Sequence, residues 1–190
     1  MTEDIRLRRT RDALYAALDA LLGERPFSEI TISDLTARAK IGRPTFYRHF
    51  RDIDAMLVMQ LHSDLDAQLG MAGLVFGRQS EQLSLRQVAA FAFERVGQRP
   101  ELYRLILSGE AGGRAQSLFR DQVGALLALQ PELAGEVTGD PKFASYAYSF
   151  YAGAIGAVLL RWIDNGRTPG AQAMGEMFAK LVVTNGNAGG

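Results

Sequence analysis

Apolar residues recur at helical spacing along almost the whole chain, and strand signals are nearly absent. Near the start, Leu7, Leu14, Leu18, Leu21 and Leu22 form one stripe, with Arg8, Arg9 and Arg11 mostly off it. A 3.6-residue repeat hides its apolar face only when helix packs on helix, so an all-α fold is expected. With 190 residues, 47% of them hydrophobic, the chain can bury a sizeable core. It has no cysteine, which excludes disulfide frameworks and thiolate metal sites. Its opening residues carry charges where a secretory leader has an apolar run, so a cytoplasmic home is expected.

Breakers divide the chain into about nine expected helices without an internal repeat. The first runs from Asp4 to the stop at Gly23. Ser33 reads as the N-cap of a short helix through Ala39. Lys40-Ile41-Gly42 reads as a turn, and Arg43–His49 as another short helix. Asp52 can cap a long fourth helix to about Gly70, with Met71–Gln79 a connection. Ser84–Gln98, Pro100–Leu107 and Arg114–Leu129 follow as helices, and Pro131–Asp140 as a loop. Pro141 opens a long helix to about Asn165, and the last spans about Gly170–Thr184. The tail Asn185–Gly190 is expected to be disordered.

Phe143 to Leu160 contains no charged residue, close to the lower length limit for a membrane span. Few of its residues are branched aliphatics, and Lys142 and Arg161 flank it evenly. A helix covered on both faces, by its own chain and by a partner, is the expected reading, with no membrane involved.

The net charge of zero conceals an asymmetry. Residues 1–51 hold ten Lys/Arg against seven Asp/Glu, and residues 52–190 hold eleven against fourteen. From Arg38 to Arg51 there are five basic residues and His49 without an acid. Such runs are commonly solvated helix faces. Here, however, the run lies on two short helices joined by a three-residue turn, the makings of a helix-turn-helix. Phe46 and Phe50, four apart, read as core anchors together with Ile41. Pro44 and Arg48 then point away from the core, flanked by Thr45 and Tyr47. That outward set suits a major groove, where arginine can bind guanine and a threonine methyl can touch thymine. Tyr47 and His49 are placed for phosphate oxygens.

The runs Thr31-Ile32-Ser33-Asp34-Leu35-Thr36-Ala37-Arg38-Ala39 and Pro44-Thr45-Phe46-Tyr47-Arg48-His49-Phe50 resemble the DNA-binding domain of the tetracycline-repressor family. The strong resemblance covers residues 5–60; Glu101-Leu102-Tyr103-Arg104 and Phe150-Tyr151-Ala152-Gly153 to Trp162 resemble its regulatory domain more loosely. The resemblance implies a DNA-binding domain over 1–51 and a helical ligand-binding and dimerisation domain over 52–190. It further implies a homodimeric transcriptional repressor that binds a palindromic operator on double-stranded DNA and is released by a small-molecule effector. An activator or a ligand-independent DNA-binding protein of the same fold is the alternative. Carried over by position, Thr31, Ser33, Arg43, Pro44, Thr45, Tyr47, Arg48 and His49 are the candidate DNA contacts.

Three positions depart from the family pattern. Lys40 replaces the usual turn glycine, so a non-glycine residue is expected in a left-handed conformation. Gly42 replaces a capping Ser or Thr. Ile53 replaces a lysine that meets a phosphate, so Ile53→Lys is expected to strengthen DNA binding unless Ile53 is buried.

For the dimer, Met174, Met177, Phe178 and Leu181 share a stripe on the last helix, while Gly153, Ala154, Gly156 and Ala157 permit close approach by the helix before it. Packing within one chain would use the same patterns. A regulatory pocket would draw on Phe91, Tyr103, Leu107, Phe119, Tyr146 and Phe150, although each reads more readily as plain core. Neither histidine has metal-ligand company, Asp64 and Asp66 do not share a helix face, and no nucleophile motif or glycine-rich phosphate loop occurs. No enzyme activity, cofactor or metal is therefore expected.

Overall fold

The computed structural model describes residues 2–78, 85–128 and 141–186. Among these residues it is all-α, with nine α-helices and no strand. The helices are α1 (Thr2–Leu22), α2 (Ile32–Ala39), α3 (Arg43–His49), α4 (Ile53–Arg78), α5 (Leu85–Gln98), α6 (Pro100–Ser108), α7 (Gly113–Ala128), α8 (Ala144–Asp164) and α9 (Ala171–Gly186). Short 3-10 turns occupy Phe27–Glu29 and Pro141–Phe143.

Most of these elements end where local chemistry predicts. Asp52 caps α4, its Oδ1 accepting the Ala55 N–H at 2.7 Å. Pro100 stands in the first turn of α6, and Gly109 ends that helix with φ 84°. The long helix expected to open at Pro141 begins instead as the 3-10 turn Pro141–Phe143, with α8 starting at Ala144, and two further boundaries differ from expectation. First, α4 continues beyond Gly70 to Arg78, because Gly70 and Gly73 lower helix stability without removing a backbone donor and no proline intervenes. Second, α9 carries Asn185 and Gly186, previously expected in the disordered tail, since no breaker follows Leu181 before Gly186. The loop expected over Pro131–Asp140 and the last four residues of the tail lie outside the described residues.

Leu14, Leu18 and Leu21 of α1 are buried with Leu35 of α2, Phe46 at the heart of α3 and Met56, Leu57 and Leu61 of α4. This is why α1, α2 and α3 form one unit seated on the start of α4. Farther along, α9 packs along α5, and α8 packs on α6 and α7. Phe93 and Trp162 meet edge to face at 5.2 Å, and the Trp162 indole N–H donates to the Pro169 carbonyl at 2.6 Å. No helix among the described residues is long and apolar enough to cross a membrane.

Candidate DNA interface

The turn between α2 and α3 depends on Lys40. Its φ of 56° and ψ of 42° are left-handed, as the missing glycine predicts. The conformation lets the Lys40 N–H reach the Ala37 carbonyl at 3.2 Å and the Ile41 N–H reach the Thr36 carbonyl at 3.0 Å, which satisfies the end of α2. Gly42 then precedes α3 with no side-chain cap, also as expected.

At the other end of α2 the cap is Thr31, not Ser33. The Thr31 hydroxyl accepts the Asp34 N–H at 3.2 Å, and Asp34 Oδ2 accepts the Thr31 N–H at 2.9 Å. Both residue types cap well; Asp34, three residues after Thr31, completes the reciprocal pair that decides between them. The Thr31 hydroxyl also donates to Asp34 at 2.6 Å. These Thr31 bonds hold the Asp34 carboxyl below its ordinary pKa, with a smaller contribution from Arg25. Thr31 is thus committed to the cap, while Ser33 is exposed on the first turn.

Helix α3 sorts its side chains sharply. Phe46 is fully buried and Phe50 nearly so, with the ring of Tyr15 of α1 tilted against Phe50 at 5.9 Å. Arg43, Pro44, Tyr47 and Arg48 are exposed, whereas Thr45 and His49 are half-buried. Tyr47 stands edge-on to Phe46 at 5.6 Å and is 52% exposed. The basic run is only partly available, since Arg38 is forked onto Glu24 at 2.8 and 2.6 Å and Arg51 pairs with Asp52 at 2.7 Å. Arg43 and Arg48 make no such pair among the described residues.

His49 Nε2 is buried without a hydrogen-bond partner. Burial, then the nearby charges of Arg11 and Arg48, push its pKa below the ordinary value. Arg11 was absent from the sequence-derived contacts, although its spacing held the signal. It lies one turn before Tyr15, which covers Phe50 at the end of α3. Ile53 packs against the core as the first residue of α4, so the isoleucine serves packing where a lysine would have served a phosphate.

Residues 14–58 match the tetR family of bacterial regulatory proteins. The domain formed by these residues belongs to that family. The chain over most of its length is similar in fold to solved regulators. One, from Syntrophomonas wolfei str. Goettingen and described as a TetR-family transcriptional regulator, is 18% identical over 94% of this chain and 95% of its own, with a TM-score of 0.74. A second is the dihydroxyacetone kinase operon activator DhaS, 18% identical over 93% and 95%, with a TM-score of 0.64. A third is the fatty acid degradation regulator FadR from Bacillus halodurans, 13% identical over 93% and 94%, with a TM-score of 0.67.

The six residues expected to line a TetR-family effector pocket do not come together. Tyr103 and Phe119 are buried, and Leu107 is partly buried beside Gly156 and Phe119. Phe91 is 37% exposed on α5, while Tyr146 and Phe150 are 73% and 69% exposed. These last two share a stripe with Gly153 and Ala157, all four facing outward on α8. Of the residues expected in a dimer seam, Leu181 is 51% exposed, whereas Met174 is buried against its own chain. Met177 and Phe178 are partly buried on that same core. The stripe on α9 is therefore divided: its Met174 side is buried in the chain's own core, and Leu181 is exposed.

Proposed function

We propose that this chain is a homodimeric repressor whose residues 1–51 read a palindromic operator and whose residues 52–190 pair the two copies and bind a releasing small molecule. The carrying observation is α3, which buries Phe46 and Phe50 while presenting Arg43, Pro44, Tyr47 and Arg48 to solvent. A groove-reading helix requires this division: anchors that fix its position and an opposite side able to meet bases and phosphates. Ser33 and Thr45 would add contacts at its edges, and His49 one to a phosphate. Thr31 would contribute by holding the start of α2.

Pairing is supported by the exposed α8 stripe of Tyr146, Phe150, Gly153 and Ala157, continued by Leu181 of α9. Two large aromatics in water beside small residues make a face that a second copy can cover closely. The effector space would lie inside, around Leu107, Phe119 and Gly156. Such a regulator works in the cytoplasm, beside the bacterial chromosome. Activation is the second reading, supported by the likeness to a protein named as an operon activator.

The deciding experiment titrates wild type, Tyr47→Ala and Arg48→Ala against DNA upstream of the chain's own gene, with circular dichroism to verify folding. Loss of a bidentate arginine–base contact should weaken binding by about 1–3 kcal/mol and relax the preference at that base pair. Unchanged affinity in both variants removes α3 from the interface. A reporter fused to the same DNA separates repression from activation, and a thermal-shift screen of metabolites and hydrophobic drugs seeks the effector.

A further inference from the structure

Arg99 joins parts of the chain eighty residues apart. The proline that follows it disfavours helical backbone at Arg99, whose φ of −138° and ψ of 57° separate α5 from α6. From this corner the guanidinium reaches α1. Its Nε donates to Asp19 Oδ2 at 3.0 Å and its Nη2 to Asp19 Oδ1 at 3.0 Å, while Nη1 lies 3.6 Å from Asp64 Oδ1 on α4. Both carboxylates have further partners. Asp19 accepts from Gln60 Nε2 at 3.2 Å, and Asp64 accepts the Tyr103 hydroxyl at 2.6 Å and Arg95 Nη2 at 3.1 Å. Two arginines thus face two aspartates at a partly buried junction of α1, α4, α5 and α6, where Asp64 is the most enclosed of the four.

The two-pronged contact matters for direction. A planar guanidinium on a carboxylate constrains angle as well as distance, which a point charge does not. Shielded ion pairs give uncertain net stability because desolvation opposes attraction, so orientation is the better-supported product of this one. Asp19 follows Leu18 on α1, the helix on which α2 and α3 are packed, so a tilt of α1 is a tilt of α3. Asp64 and Tyr103 belong to the helices beneath, and Arg99 to the corner between two of them.

We propose that Arg99 is a positioning residue that sets the tilt of the α1–α3 unit on the rest of the chain, and thereby the separation of the two recognition helices in the dimer. The proposal rests on the dimeric operator reading above. It assigns Arg99 no contact with DNA; its effect is on which half-site spacing the protein accepts.

The test uses the full chain and a palindromic duplex that the wild type selects from random-sequence DNA, together with duplexes having one base pair added or removed between half-sites. Each such change both shifts and rotates one half-site relative to the other. Arg99→Gln and Asp19→Asn should lower the ratio of affinities, selected spacing over altered spacing, by about fivefold or more. Arg99→Lys, which keeps the charge near Asp19 and Asp64 but loses the fork, should lower it as well, and supplies the measurement if Arg99→Gln does not fold. A ratio equal to wild type in the variants overturns the proposal, including when affinity falls equally at all spacings alongside melting temperature, the mark of a purely structural role. A wild type indifferent to spacing overturns the dimeric reading and this proposal together.

Discussion

A β-carbon placed on Gly175 of α9 would lie 2.6 Å from the backbone nitrogen of Ala90 on α5 and 2.7 Å from its β-carbon. The two helices touch through their backbones, and no flexible side chain can make room. Gly175→Ala should therefore separate α5 from α9 and destabilise the chain, despite the higher helix propensity of alanine. Overpacking of this kind costs about 1–3 kcal/mol, and backbone contacts this short belong at its upper end, above the propensity gain of about 1 kcal/mol. Urea unfolding is the measurement, and a midpoint equal to or above wild type contradicts the crossing.

Lys40 offers the opposite opportunity. Its left-handed backbone costs an L-residue about 1 kcal/mol that glycine does not incur. Lys40→Gly should raise the melting temperature by roughly 2–4 °C, less whatever glycine adds to the entropy of the unfolded chain. The same substitution removes a charge next to α3, so calorimetry and gel shift are needed together: stability should rise without a gain in DNA affinity.

DNA binding should tighten as pH falls towards and below 6.5. In the free protein burial and the charges of Arg11 and Arg48 depress the His49 pKa, so the ring is neutral at pH 7. A phosphate placed against it would favour the protonated form and raise that pKa, making binding take up a proton. Affinity therefore increases as pH descends from above the bound pKa through the free one. His49→Gln should flatten that rise, measured by anisotropy titration at constant ionic strength. A wild-type slope retained in the variant takes His49 out of the phosphate contacts.

The exposed stripe on α8 gives a test of pairing that spares the monomer. Phe150→Arg adds a charge at a position 69% exposed in the single chain, so it should abolish the dimer and leave helicity intact. Phe178→Arg, by contrast, places a charge against the chain's own core and should lower the melting temperature markedly. Light scattering should give about twice the 20.8 kDa chain mass for wild type and about once for Phe150→Arg. A Phe150→Arg protein that remains dimeric moves the interface elsewhere.

What the sequence determined was local. The bounds of α3, the turn at Lys40-Ile41-Gly42, the Asp52 cap and the outward set of Pro44, Tyr47 and Arg48 all follow from interactions within a few residues, where periodicity and backbone preference act. Already at the α2 cap, two capable residues two positions apart made the choice depend on a third, Asp34. Tertiary structure alone decided the larger surfaces. Helical spacing shows that Tyr146, Phe150 and Met174 lie on apolar faces, but only the packed chain shows that Met174 is buried in its own core while the other two stay exposed. Ile53 packs against the core because α4 lies where it does. Arg99 meets Asp19 because folding brings the α5–α6 corner to α1 across eighty residues. Backbone preferences and turn chemistry act over one or two helical turns, whereas the partner of a surface is set by whatever the rest of the chain leaves beside it.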